Sequence, residues 1–387
     1  MNICIVSHNY PTTKQPYLQT FIRDQVRVLT ETEGYRTRVL VPTPLLVPFS
    51  KRWSMSRVPL LDSEKAKRFR YFSIPKRMAP KITGENLAEN LQKNLADSSE
   101  IIHVHWLYPN GIAIPILKKS GYQCILNLHG TDWHSTKNDP RFTSLIKDVL
   151  TSADVIVVSG IEIKNEILNR FPDLDVRVSF NYIDTDLFRL PDQAMKLKAQ
   201  KRLNFDAGKL NIFTVANFRP EKGVDVFLDA IAKIHHPNIC FHILGQQASG
   251  PYAKVISKKL RFLPKNIVKV HSPVPRHEIP SYYFAADAYL LPSRSEGFNV
   301  SLLEALSTGL PVIATKTGGA INVLDNDRGM IVDPDDPEAL SDAIMDLART
   351  HSLTRSQKSR DYVTNNFSLQ HYSEFLVNLY SSFDSDY

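Results

Sequence analysis

Twelve short runs of apolar and β-branched residues recur along the chain, alternating with stretches of helical spacing. In the first half they read ICIVS, TRVLVP, IIHVHW, CILNLHG, VIVVSG and VRVSFN; in the second, IFTVAN, CFHILG, IVKVHS, AYLLPS, PVIAT and MIV. Strands apolar along their whole length are buried on both faces, and intervening helices are what cover a parallel sheet. Helical spacing is plain in TFIRDQVRVLTE and TSLIKDVLTSA. The rhythm occurs twice, which predicts an α/β protein of two Rossmann-like, doubly wound parallel-sheet domains facing a central cleft. A length of 387 residues suits two cores rather than one. The polar, Lys-rich stretch LFRLPDQAMKLKAQKRLNFDAGK marks the join, giving a first domain over 1–192 and a second over 205–366. The final stretch, 367–387, has helical apolar spacing.

No run reaches 18 apolar residues, and VLVPTPLLVPF is cut by three prolines, so no membrane-spanning helix is expected. The opening MNICIVSHNY has no basic lead and reads as a first strand, not as a signal peptide. Cys4, Cys124 and Cys240 lie far apart in apolar runs, which suits buried thiols in a reducing cytoplasm. The net charge of +7 is concentrated locally. Residues 51–81 carry ten basic side chains (Lys51, Arg52, Arg57, Lys65, Lys67, Arg68, Arg70, Lys76, Arg77, Lys81) against Asp62 and Glu64. That segment reads either as a solvated loop or as a surface for an anionic membrane or acceptor. No nucleic-acid-binding signature accompanies the charge.

Chemistry is densest in LLPSRSEGFNVSLLEALSTG. The strand ends at Pro292, a polar loop follows, and a helix starts near Val300. The amides of 299–302, Asn299 and Val300 among them, then form an anion seat strengthened by the helix dipole. Gly297 allows close backbone approach. Glu296 can reach a ligand as an acceptor, and Glu304, inside the helix, can take two hydrogen bonds from a vicinal diol such as a ribose. A diphosphate seat, a diol acceptor and a further carboxylate are the parts a nucleotide-sugar needs; a capped helix with a solvated Glu is the plain alternative. A second strand-loop-helix, TVANFRPEKGVDVFLDAI, places Arg219, Lys222 and Gly223 before its helix, where cations can neutralise phosphate. A third element, CILNLHGTDWHS, puts His129 at a strand's carboxyl end, with Asp132 behind it. His103 and His105 alternate with apolar residues in IIHVHW. They can line the site or fill a strand.

Together these segments resemble the retaining glycosyltransferases of family 4, which have the GT-B fold. EGFNVSLLE matches the family's Glu-x7-Glu motif, and RPEKG, HGTD, NYIDTDLF, ATKTGGAINVL and GMIVDPDDPEAL follow in the family's order. The resemblance implies that Glu296 contacts the donor sugar and Glu304 the ribose. It also implies that the amides at Asn299 and Val300 hold the diphosphate with Lys222, with Gly297 and Phe298 lining the same site. His129, Lys222 and Glu296 are then the catalytic set. His8, Asn9, His105 and Asp132 lie on the acceptor side, and the last helix crosses back onto the first domain. The chain departs from the family at Asn217, where an Arg is usual and Arg219 is the available substitute, and at Tyr182 and Asn322. The first loop, SHNYPTTKQPY, lacks the usual Gly-Gly.

The implied reaction moves a hexose, with retention, from a nucleoside diphosphate sugar (UDP before GDP) to a sugar or lipid-linked glycan acceptor. Domain closure excludes water, and no metal or other cofactor is required. Asp-x-Asp pairs such as Asp184/Asp186 and Asp333/Asp335 lie in turn-like stretches, where Asp serves local hydrogen bonds. The setting is cell-envelope or extracellular polysaccharide synthesis, in the cytoplasm and peripheral to the inner face of the membrane. A nucleotide-sugar epimerase of the same architecture and a non-catalytic glycan-binding module are the alternatives. A dinucleotide-dependent oxidoreductase would want Gly-x-Gly-x-x-Gly after a strand, which the chain lacks.

Overall fold

The computed structural model describes residues 1–15, 20–45, 58–74, 77–95, 100–246, 250–296, 299–325, 327–350 and 355–383. The chain forms two compact units, one of residues 1–180 with 373–387, the other of residues 181–372.

The first unit holds a sheet of seven strands: β1 (Asn2–Val6), β2 (Arg36–Pro44), β3 (Ala66–Tyr71), β4 (Ile101–His105), β5 (Gln123–Leu128), β6 (Val155–Val158) and β7 (Val176–Val178). Their order is β3-β2-β1-β4-β5-β6-β7, and every pairing is parallel. The second unit holds β8 (Leu210–Val215), β9 (Ile239–Leu244), β10 (Val268–His271), β11 (Ala288–Leu291), β12 (Val312–Thr315) and β13 (Met330–Val332). Their order is β10-β9-β8-β11-β12-β13, again all parallel. Central strands β4, β6, β9, β11 and β12 are buried at every position. This is why they read as unbroken apolar runs. Helices with one apolar stripe close the layers; Val224–Lys233, for example, buries Val224, Phe227, Leu228 and Ile231 against the second sheet.

Two sequence expectations are corrected. The basic segment is not wholly a loop, because residues 66–71 form the edge strand β3. There Ala66, Phe69 and Tyr71 turn inward while Lys67 and Arg70 face out. Charged side chains on an edge strand block pairing with a further strand. The Lys-rich join at 193–203 is a helix of the second unit rather than a linker. Lys196 pairs with Asp287 at 2.5 Å, and Gln200 donates to the Ala285 carbonyl at 3.1 Å. The boundary lies at 180/181, so residues 181–192 belong to the second unit. The last helix, Leu369–Ser381, passes from the second unit into the first. Cys4, Cys124 and Cys240 are buried free thiols. No helix among the described residues is long and apolar enough to cross a membrane.

In open α/β sheets, ligands gather at the carboxyl ends of strands where the order reverses. In the second sheet that point lies between β8 and β11. The loops after those two strands are RPEKG and SRSEG.

Candidate active site

The two loops of the second unit are locked together by a glycine. Gly223 has φ +60°, and a Cβ there would stand 1.9 Å from the Pro292 carbonyl oxygen. Only glycine allows both this left-handed conformation and this approach. Replacing Gly223 by alanine should therefore destabilise the protein by roughly 2 kcal/mol or more. Denaturant unfolding measures the effect. Unchanged stability would contradict the close approach.

The contact brings Lys222 to Glu296. The Lys222 ammonium donates to Glu296 Oε1 at 2.5 Å, and Ser293 Oγ donates to the same oxygen at 2.7 Å. Both charged side chains are mostly buried. A second bracket, which sequence reasoning missed, is Arg294. Its guanidinium donates to the Pro220 carbonyl at 2.6 Å, to both Asp225 oxygens at 2.8 Å and to Asp335 at 2.6 Å. Its amide donates to the Glu221 carbonyl at 2.9 Å. Bidentate pairing fixes orientation as well as distance, so Arg294 holds both loops in register. Asp225 keeps Arg294 above the ordinary guanidinium range, and the Arg294 and Tyr252 hydrogen bonds draw the Asp225 carboxyl below its ordinary value against the opposing effect of burial.

Arg219 does not share in this. Its side chain is 66% exposed and lies 3.9 Å from Glu221. Asn217 is exposed as well. Its side-chain oxygen accepts from the Gln246 amide at 3.0 Å, just beyond the end of β9. Glycine 297 and phenylalanine 298 lie outside the described residues.

Asn299 caps the helix Val300–Ser307: its Oδ1 accepts from the Ser301 amide at 2.9 Å and from the Ser301 hydroxyl at 2.6 Å. The helix thus starts at Val300, as its sequence predicts. Its N-terminal end carries the positive end of the helix dipole close to Glu296 in sequence. Glu304 is buried, and its Oε2 accepts from the Tyr283 hydroxyl at 2.8 Å. Burial pushes its carboxyl up to about 7, although the Tyr283 hydrogen bond pulls the other way. A carboxyl titrating there is a marker of functional sites.

The first unit has its own cluster at the β1/β4 switch point. His129 follows β5, and its Nε2 lies 2.9 Å from His105 Nδ1. His8 stands edge-on to Trp106 at 4.7 Å, with Nδ1 3.1 Å from Asn110 Nδ2 and Nε2 3.0 Å from Asn9 Nδ2. The rings of Phe21, Trp106 and His129 lie within 6.0 Å of one another. Trp106 has φ +69°, a strained conformation of the kind that collects at functional sites. Neither Phe21 nor Trp106 announces itself in sequence.

Asp132, read from sequence as acceptor-facing, is corrected. Its two oxygens accept from the backbone amides of Leu107 at 2.7 Å and His129 at 2.9 Å. It holds the turn that presents His129, and burial raises its carboxyl. His103 and His105 are both core residues. Among the described residues, no three His, Cys, Asp or Glu side chains gather as a metal-binding group.

Two parallel-sheet Rossmann-type units give the chain the GT-B architecture, and the family models identify a glycosyltransferase. The model described as Glycosyltransferase Family 4 matches residues 18–187, and that described as Glycosyl transferases group 1 matches residues 195–366. The chain belongs to glycosyltransferase family 4. It is 24% identical to TuaC of Bacillus subtilis, a glycosyltransferase assigned to teichuronic acid biosynthesis, over 89% of this chain and 88% of that one. It is 22% identical to a GDP-mannose-dependent phosphatidylinositol monomannoside mannosyltransferase of Mycolicibacterium smegmatis, with the same coverage of both. The crystal structure of Anabaena HepE in complex with UDP and glucose superposes with a TM-score of 0.72 at 17% identity, covering 99% of this chain and 100% of that one.

Proposed function

We propose that the protein is a retaining hexosyltransferase. It moves a hexose from a UDP-sugar to a glycan or lipid-linked acceptor in the synthesis of a cell-envelope or extracellular polysaccharide. The observation that carries this reading is the Lys222–Glu296 pair, fastened across the switch point beside the Asn299-capped helix that bears Glu304. Lys222 and the amides at Asn299 and Val300 hold the diphosphate, Glu304 the ribose diol and Glu296 the sugar. Asn217 and Arg219 border the same loop from outside. The bond from the sugar's anomeric carbon to the diphosphate breaks and the acceptor oxygen bonds on the same face. The acceptor's proton passes to the departing phosphate. Positive charge develops on the sugar and negative charge on the leaving group, so fixed cations and amides supply the catalysis without a metal ion. His129 hydrogen-bonds a sugar hydroxyl, with His8, Asn9 and His105 around it.

The UDP-bound relative supports uridine as the base, and the GDP-mannose-dependent relative supplies the competing option. A thermal-shift panel of UDP, GDP and ADP separates them. At about 100 times its dissociation constant the right nucleotide adds about 2.7 kcal/mol. We expect UDP to do so. A shift with GDP alone would reassign the donor, and no shift with any would refute the reading. The anomeric configuration of the product, read by NMR, tests retention.

A lipid-linked acceptor agrees with the phosphatidylinositol relative and with the basic segment at 51–81. We place the enzyme in the cytoplasm, peripheral to the inner face of the membrane. Within that segment Lys67, Arg70 and Lys81 are exposed, as are Phe72 and Met78, and so is Ile82 just beyond it. Arg68 and Arg77 serve the fold instead: Arg68 donates to the Val58 carbonyl at 2.7 Å, and Arg77 lies 5.2 Å over the Tyr108 ring. Lys51, Arg52, Arg57 and Lys76 lie outside the described residues. Changing Lys67, Arg70 and Lys81 to glutamate should abolish sedimentation with phosphatidylglycerol vesicles, since each basic residue near such a surface is worth about 1 kcal/mol. Equal binding by the variant would refute the membrane site.

A further inference from the structure

Gln25 is the one polar side chain among the buried residues of the first helix, Thr20–Glu31, where Ile22, Val26, Val28 and Leu29 are its buried companions. A buried amide is tolerated where its donors and acceptor are satisfied. Gln25 Nε2 lies 3.1 Å from the Tyr380 hydroxyl and 3.1 Å from His103 Nδ1, and the hydroxyl lies 2.6 Å from that same nitrogen. Gln25 Oε1 lies 2.9 Å from His105 Nε2, and His105 Nδ1 lies 2.9 Å from His129 Nε2.

With the Gln25 amide turned so that Nε2 faces Tyr380 and Oε1 faces His105, donors and acceptors along this row follow in one order. The Tyr380 hydroxyl donates to His103 Nδ1, and its oxygen accepts from the Gln25 amide. Gln25 Oε1 can only accept, so His105 Nε2 carries a hydrogen. A neutral imidazole has one N–H, so His105 Nδ1 is bare and accepts. His129 must then present Nε2–H to it, and His129 Nδ1 is bare in turn. Burial holds both rings neutral: it lowers His105 well below its ordinary value and His129 to about 3, and the neighbouring histidines add to this.

We infer that Gln25 is a positioning residue that acts through His105 to fix His129 in its Nε2–H tautomer, so that this histidine offers Nδ1 as a hydrogen-bond acceptor. Turning the Gln25 amide through half a rotation reverses every proton in the row and makes His129 Nδ1 a donor. The amide orientation, with Nε2 toward Tyr380 and His103, therefore decides which kind of group the site presents. The consequence for catalysis rests on the reading that His129 meets a sugar hydroxyl; the tautomer itself does not.

Nitrogen-15 NMR of the full-length protein labelled in histidine tests the inference. The wild type should show His129 protonated at Nε2 and bare at Nδ1. Gln25→Met, close in volume and unable to bond, should leave His129 as a mixture of tautomers. It should lower kcat for sugar transfer roughly tenfold, the share of one neutral hydrogen bond, with the UDP dissociation constant unchanged. A wild-type His129 protonated at Nδ1 would overturn the inference whether or not the variant folds. So would a single unchanged tautomer in Gln25→Met. If UDP and UDP-sugars prove not to bind, the functional reading fails while the tautomer result stands by itself.

Discussion

Lys222→Ala should lower kcat for sugar transfer by roughly 10²–10³, about 3–4 kcal/mol, the usual cost of removing one preorganised group from a developing negative charge. The ammonium donates to Glu296, yet it has three donors, and two remain for phosphate oxygens. The loss should appear in kcat as well as in donor affinity, because charge on the diphosphate is greatest as the bond breaks. Stability should fall too, since Glu296 loses its cationic partner and keeps only the Ser293 hydroxyl. Adding Glu296→Gln removes that unpaired carboxylate. The double variant should therefore recover most of the stability and none of the turnover. Recovery of turnover along with stability would make Lys222 a structural residue. Unfolding midpoints and steady-state kinetics on the three variants read both quantities.

Glu304→Gln should make the unliganded protein more stable and nucleotide binding weaker. Burial raises the Glu304 carboxyl to about 7, against an ordinary value of 4.5. Below about 4.5 both folded and unfolded chains hold this proton. Between there and about 7 the unfolded chain has released it and the folded chain has not, so stability is lost as pH rises through that window. The full loss is about 3 kcal/mol above pH 7. Glutamine has the same shape, can still accept from Tyr283 and has no charge to bury. The variant should thus gain up to about 3 kcal/mol at pH 8 and nothing at pH 4. A ribose diol that donates to the carboxylate loses a charged acceptor, which should weaken UDP binding roughly ten- to hundredfold. No stability gain at pH 8, together with an unchanged UDP affinity, would show that Glu304 is a neutral core residue. A cost in stability accepted for function is what a buried acid at a binding site represents.

Much of this site was legible because its signals are local. The doubly wound sheets announced themselves through strands buried on both faces, and the Val300 helix through the polar loop that follows Pro292. What sequence hid was long-range. Arg294 lies within the SRSEG loop, but its partner Asp225 is 69 residues away, and no spacing rule connects them. Arg219 looked better placed, three residues before Lys222, but its side chain is exposed beside Glu221. Strand β3 was masked by the charges that protect an edge, and helix 193–203 by burying only Ala199 and Gln200. His105 and His129 were visible as candidates, whereas Gln25, which orders their protons, sits in a helix that otherwise reads as ordinary core packing.

The central claim is that the paired loops of the second unit grip a diphosphate. Calorimetric titration with UDP and with uridine measures that grip directly, because the two ligands differ only in the diphosphate. Wild-type protein should bind UDP at least about 100-fold more tightly than uridine, as expected for two charge-assisted hydrogen bonds, and Lys222→Ala should collapse most of that ratio. Equal affinity for the two ligands in the wild type, or a ratio that survives the loss of Lys222, would contradict the account.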